Sequence, residues 1–153
     1  MKYTVPGNSA EQDQGQFLTV GYLGETAMAA TRLVLSGALE KHPNVRIVWS
    51  HLGGSLPILV DRLDRGYRRY STCPRPPTFY LCRCFYDTAS AHGPALDCAR
   101  ATFGASALVF GTDEPHVPNA SRDVLAAVRS RPWPSADTEA VLRGNAQRLG
   151  IIN

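Results

Sequence analysis

Three residues stand where a short apolar run ends and a turn begins: His51 after Val45–Ser50, Asp87 at the close of Cys84–Asp87, and Asp113 after Ala107–Gly111. An imidazole and carboxylates delivered from separate strand ends suit divalent-metal ligation or proton transfer, because both groups donate to metals and both can accept and release protons. Gly53 and Gly54 follow His51 closely. Without side chains they let backbone come near a ligand, while the helix expected next aims unpaired N–H groups and its positive end at the same space, which favours a carboxylate. The residues alone leave a purely structural alternative open at each point. His51 could cap its strand, Asp113 could cap its turn, and the glycines could serve only a tight reversal.

The elements that must hold these groups follow from periodicity. Val45–Ser50 is short, β-branched and largely apolar, as a strand buried on both faces requires, and Cys84–Asp87 and Ala107–Gly111 repeat the pattern. A helix is expected over Thr26–Lys41 from Ala27, Ala30, Val34 and Ala38, ended by Pro43; a second starts at Ser55 with the stripe Leu56, Leu59, Val60, Leu63 and Tyr67. Further helices are expected over Pro94–Phe103, closed by Gly104, over Ser121–Arg129, and over Ser135–Leu149, closed by Gly150. Each strand is followed by a helix and no hairpin signal intervenes, so the strands should be parallel. Residues 1–25, punctuated by glycine and proline in polar sequence, show no period and are expected to be an irregular N-terminal segment preceding one α/β domain over residues 26–153.

Composition excludes several classes. The chain has 153 residues, enough for one core, but a complete eight-unit barrel needs roughly 250. A net charge of +3 from 16 basic and 13 acidic residues is far from the concentrated charge of a nucleic-acid binder. No apolar run is long enough to span a bilayer and Met1–Ala10 carries no leader pattern, so no membrane partner and a cytoplasmic location are expected. The four cysteines read as reduced thiols, with Cys82 and Cys84 on one face of a strand. His42 and His92 read as surface residues, and His116 as a substrate contact three residues beyond Asp113. Arg62, Arg65, Arg68, Arg69 and Arg75 read as a solvated helix end, with Asp61–Arg65 and Asp64–Arg68 spaced for pairing. No glycine-rich phosphate loop follows any strand, which disfavours a doubly wound nucleotide-binding domain.

Several motifs then occur in order: Arg32–Glu40 (RLVLSGALE), His42–Gly54 (HPNVRIVWSHLGG), Arg62-Leu-Asp64, Tyr86-Asp-Thr88, Phe110–His116 (FGTDEPH) and Gly144–Leu149 (GNAQRL). Together they resemble the amidohydrolase-related branch of the metal-dependent hydrolases, which includes aminocarboxymuconate-semialdehyde and resorcylate decarboxylases. The resemblance runs from about Gly21 to Ile152.

That resemblance implies a TIM-like (β/α)8 barrel, of which this chain holds the C-terminal three βα units. It implies a divalent metal, zinc or manganese, and a small carboxylate or aromatic acid as substrate. Within it His51 matches the catalytic histidine of the sixth strand and Asp113 the aspartate ligand of the eighth; by the reading of the residues themselves Gly53, Gly54 and His116 are the expected substrate contacts. The family's His-x-His pair and fifth-strand histidine have no counterpart among the four histidines of this chain. A hydrolase or non-oxidative carboxy-lyase lacking most of its metal ligands is therefore expected, which by itself would hold metal weakly; the alternative is a non-catalytic remnant or a module completing another half-barrel. Bare sheet edges predict self-association into a homo-oligomer.

Overall fold

The structure, a computed structural model, describes residues 15–71, 73–89 and 91–153. Three short strands, β1 (Val48–Trp49), β2 (Phe85–Asp87) and β3 (Leu108–Val109), form one sheet in the order β1-β2-β3. Both pairings are parallel, with Val48 opposite Phe85 and Tyr86 opposite Leu108. The amide of Phe85 also reaches back to the Ile47 carbonyl at 2.8 Å, so pairing begins one residue before β1. Each strand is shorter than its apolar run, because the flanking residues turn away at once into loops and short helical turns.

The helices surround this sheet. They are α1 (Tyr22–Leu35), α2 (Ala38–Lys41), α3 (Leu56–Tyr70), α4 (Pro77–Leu81), α5 (Gly93–Phe103), α6 (Ala120–Arg129), α7 (Ser135–Glu139) and α8 (Asn145–Leu149). Strands β1, β2 and β3 are thus followed by α3, α5 and α6, the expected three βα units.

Several boundaries differ from those expected. The helix predicted over 26–41 is two, because Gly37 takes a left-handed φ of 74° and its amide bonds the Val34 carbonyl at 2.9 Å, closing α1 before α2 starts. Of the segment expected to be irregular, residues 1–14 lie outside the described residues, whereas Phe17–Gly21 is a π-helical turn that runs directly into α1. Helix α4 forms within residues 70–81, whose Pro74, Pro76 and Pro77 read as a loop, with Pro77 in its opening turn, where a missing amide costs nothing. The helix predicted over 135–149 keeps helical backbone throughout, passing from α7 to α8 through a π-helical Ala140–Gly144 and ending at left-handed Gly150.

The core lies between the sheet and the helices. Val34 of α1, Leu56 of α3, Tyr86 of β2, Leu96 of α5, Leu108 of β3, Val128 of α6 and Val141 are all fully buried in one cluster. Tyr86 stacks on Phe103 with ring centroids 3.9 Å apart, and its hydroxyl donates to the Leu81 carbonyl at 2.8 Å. Alternation along β2 therefore sends Tyr86 toward the helices and Phe85 and Asp87 to the other face.

The polar expectations divide. All four cysteines are free thiols, but Cys82 lies exposed in the turn after α4 while Cys84 is buried, so they do not share a strand face. Asp61 pairs with Arg65 as expected. Asp64 does not pair with Arg68: its carboxylate accepts from the amide of Thr78 at 2.9 Å and from the Thr78 hydroxyl at 2.5 Å, tying α3 to α4. Among the described residues no helix is long and apolar enough to cross a membrane.

Candidate active site

Parallel strands bring their carboxyl ends to one rim, and His51, Asp87 and Asp113 all emerge there. His51 Nε2 stands 3.6 Å from Asp113 Oδ2, both side chains partly exposed. The two residues sought for proton transfer or metal ligation therefore converge, across 62 residues of chain and from the two outer strands of the sheet. Asp87, between them, is directed at backbone: its Oδ1 accepts from the His51 amide at 2.8 Å and from the Ala89 amide at 3.0 Å.

The local backbone is strained. His51 and Leu52 have φ of 53° and 56°, and Asp113 has 68°. Left-handed geometry is costly for residues with a Cβ, about 1–3 kcal/mol each, and persists where surrounding contacts enforce it. Around His51 the Asp87 hydrogen bond does so. Around Asp113 its own carbonyl accepts from the Val117 amide at 3.0 Å, and the buried Thr88 hydroxyl clamps Gly111 by donating to its carbonyl at 3.0 Å and accepting from its amide at 3.1 Å.

His51 and Asp113 open onto a cavity of about 790 Å³. Leu18, Tyr22, Leu23 and Ile58 form an apolar wall on its surface and are 61, 43, 36 and 74% exposed, unusual for side chains of this size. His92 and His116 join Thr19, Thr26, Ser50 and Ser55 in its polar lining, and among the described residues no lysine or arginine lines it. Leu18, Tyr22 and Leu23 had no signal in the sequence reading, because they fall in the stretch whose glycines and polar residues concealed its helical state. His92 is exposed as expected but lines the cavity as well. It caps α5, with Nδ1 accepting from the Ala95 amide at 3.2 Å, so when neutral it carries its proton on Nε2.

The two glycines are required by packing. A Cβ on Gly54 would sit 2.0 Å from the Leu23 carbonyl oxygen, and one on Gly53 would sit 2.9 Å from the Tyr86 ring. Both have positive φ, 64° and 78°. What comes close to them is α1 and the core. Gly54 also lines the cavity, whereas Gly53 is buried and is not among its lining residues.

A catalytic divalent ion takes three protein ligands and an open position. Among the described residues no three His, Cys, Asp or Glu side chains gather. His51 and Asp113 alone do not fit such an ion as a complete site.

A family model described as amidohydrolase matches residues 6–149. A gamma-resorcylate decarboxylase from Rhizobium radiobacter is 31% identical over 140 residues, covering 86% of this chain and 42% of the relative. Among solved structures, a 2,6-dihydroxybenzoate decarboxylase complexed with 2,6-dihydroxybenzoate superposes with a TM-score of 0.81 at 26% identity, over 97% of this chain and 48% of that one. A dihydroxybenzoic acid decarboxylase from Polaromonas, with bound manganese and the inhibitor 2-nitroresorcinol, gives 0.80 at 25% identity over 95% and 46%. The chain spans less than half the length of the curated relatives it matches.

Proposed function

The chain belongs to the amidohydrolase family, and from that premise we propose that it supplies the carboxyl-terminal part of the active site of a non-oxidative carboxy-lyase acting on a small aromatic acid. The observation that carries this reading is the 3.6 Å approach of His51 Nε2 to Asp113 Oδ2 at the mouth of a cavity with an apolar wall.

The chemistry asks little more of this chain. Losing carbon dioxide from an arenecarboxylate requires a proton at the ring carbon that bears the carboxylate; the carbon–carbon bond then breaks, carbon dioxide leaves, and the bonding pair restores the ring. His51 is the proton donor in this reading, and the Asp113 carboxylate, 3.6 Å from its Nε2, orients the ring. Leu18, Tyr22, Leu23 and Ile58 hold the ring and exclude water. His116 and the Gly54 backbone are proposed as substrate contacts.

Asp113 is also the residue that would give one ligand to the family's divalent ion, zinc or manganese. Two donors do not complete such a site, so the remaining ligands would come from outside the described residues. Hydrolysis of an amide or ester uses the same pair of groups. The apolar wall, with no lysine or arginine lining the cavity among the described residues, favours decarboxylation.

The test combines this chain with the amino-terminal barrel segment of the Rhizobium radiobacter relative and manganese, and follows 2,6-dihydroxybenzoate. Release of carbon dioxide with resorcinol as co-product supports the reading. Cleavage of an aryl amide or ester without carbon dioxide release would replace it with a hydrolase.

A further inference from the structure

At the opposite, amino ends of the strands lies a second cleft of about 390 Å³, on which Arg46 before β1, Arg83 before β2 and Arg148 of α8 converge with His42. Among the described residues no aspartate or glutamate lines it. The arginine–carboxylate pairs among the described residues lie elsewhere: Asp61 with Arg65, Asp137 with Arg100, Asp123 with Arg122, and Asp97 with Arg131.

Two of the three guanidinium groups are fixed in place by neutral acceptors. Arg83 donates through Nη2 to the Pro43 carbonyl at 3.0 Å, and Arg148 donates through Nη2 to the Ser106 carbonyl while its guanidinium carbon stands 5.7 Å from the centre of the Phe85 ring. A carbonyl orients a guanidinium without neutralising it, and each group keeps further N–H donors in a planar fork. Arg46 has no hydrogen-bond or ion-pair partner among the described residues. Like charges held together around a concave surface repel one another and raise the local concentration of anions, and a guanidinium fork matches a tetrahedral oxyanion by paired hydrogen bonds.

We propose that this cleft binds a phosphate group, as inorganic phosphate or as the end of a small phosphorylated molecule. The site is separate from the His51–Asp113 rim and stands or falls independently of the reaction proposed there.

The experiment titrates the chain at low ionic strength with inorganic phosphate and, in a second arm, with glycerol 1-phosphate, following backbone amide shifts by NMR. The expected result is saturable binding whose shifts centre on residues 42–46, 83–85 and 106–107. It should weaken about tenfold in Arg46→Ala and in Arg83→Ala, weaken with added salt, and remain unchanged in Arg62→Ala and in His51→Ala. Tighter binding of the ester than of phosphate would make the occupant a phosphorylated metabolite; equal binding would make it the free ion. Non-saturating shifts, shifts indifferent to Arg46 and Arg83, or binding of polyglutamate but not phosphate would each overturn the proposal. Circular dichroism of both variants checks that any loss is not unfolding.

Discussion

The backbone N–H of His51 donates to Asp87 Oδ1 at 2.8 Å, and the same oxygen accepts from Ala89. One carboxylate on the central strand thus holds the left-handed turn that aims His51 at Asp113. Removing it in Asp87→Ala leaves two partly buried amides without their acceptor beside a backbone already at φ 53°. The expected loss is about 2 kcal/mol in urea unfolding, with Asp87→Asn, which keeps an oxygen, losing less. Equal losses in the two variants would show that the charge and not the acceptor matters.

Gly54→Ala should be more damaging. The new Cβ meets the Leu23 carbonyl oxygen at 2.0 Å, backbone against backbone, at a φ of 64°. Helix α1 must shift away from the turn, so a loss of about 3 kcal/mol or more is expected, together with weaker protection of α1 amides in hydrogen exchange. A variant as stable as the parent would contradict the packing of α1 on this turn.

Tyr86 gives the alkaline limb of stability its sign. Burial first, and then the neighbouring Cys84 and Cys82, push its phenol above the ordinary value of about 10. Only the unfolded chain ionises near that pH, so this contribution is complete below about pH 10 and is lost progressively as pH rises beyond it. Tyr86→Phe should cost about 1 kcal/mol at neutral pH by removing one of the two hydrogen bonds on the Leu81 carbonyl, which keeps the Cys84 amide, and should make stability fall less steeply between pH 10 and 12. A parallel alkaline decline in both proteins would assign the effect to other groups.

The strand-turn-helix logic was legible because its signals are local. Val45–Ser50 followed by His51, paired glycines, Ser55 and Pro57 reads directly as a strand ending at a helix start, and it places His51 correctly; Gly104 and Gly150 likewise end the helices they were expected to end. What escaped depends on distant partners. Asp64 sits four residues before Arg68 but bonds Thr78, which periodicity cannot see. Phe17–Glu25 is helical although its composition is that of a loop, because Ala27 and Ala30 anchor the following turns in the core. The missing wall of the cavity follows from that one error, since Leu18, Tyr22 and Leu23 lie in the same stretch.

Manganese titrated calorimetrically into the isolated chain should bind weakly, since His51 and Asp113 supply at most two donors. Stoichiometric, sub-micromolar binding abolished by Asp113→Ala would reveal a ligand set beyond the residues described.

The central claim is that His51 and Asp113 act together on an aromatic acid once the rest of the barrel is supplied. The direct measurement is carbon dioxide release from 2,6-dihydroxybenzoate by the reconstituted pair of segments, comparing the parent with His51→Asn and Asp113→Asn. Each substitution is predicted to lower turnover by about 100-fold or more while leaving thermal unfolding within a few degrees of the parent. Turnover that survives both substitutions would contradict the account.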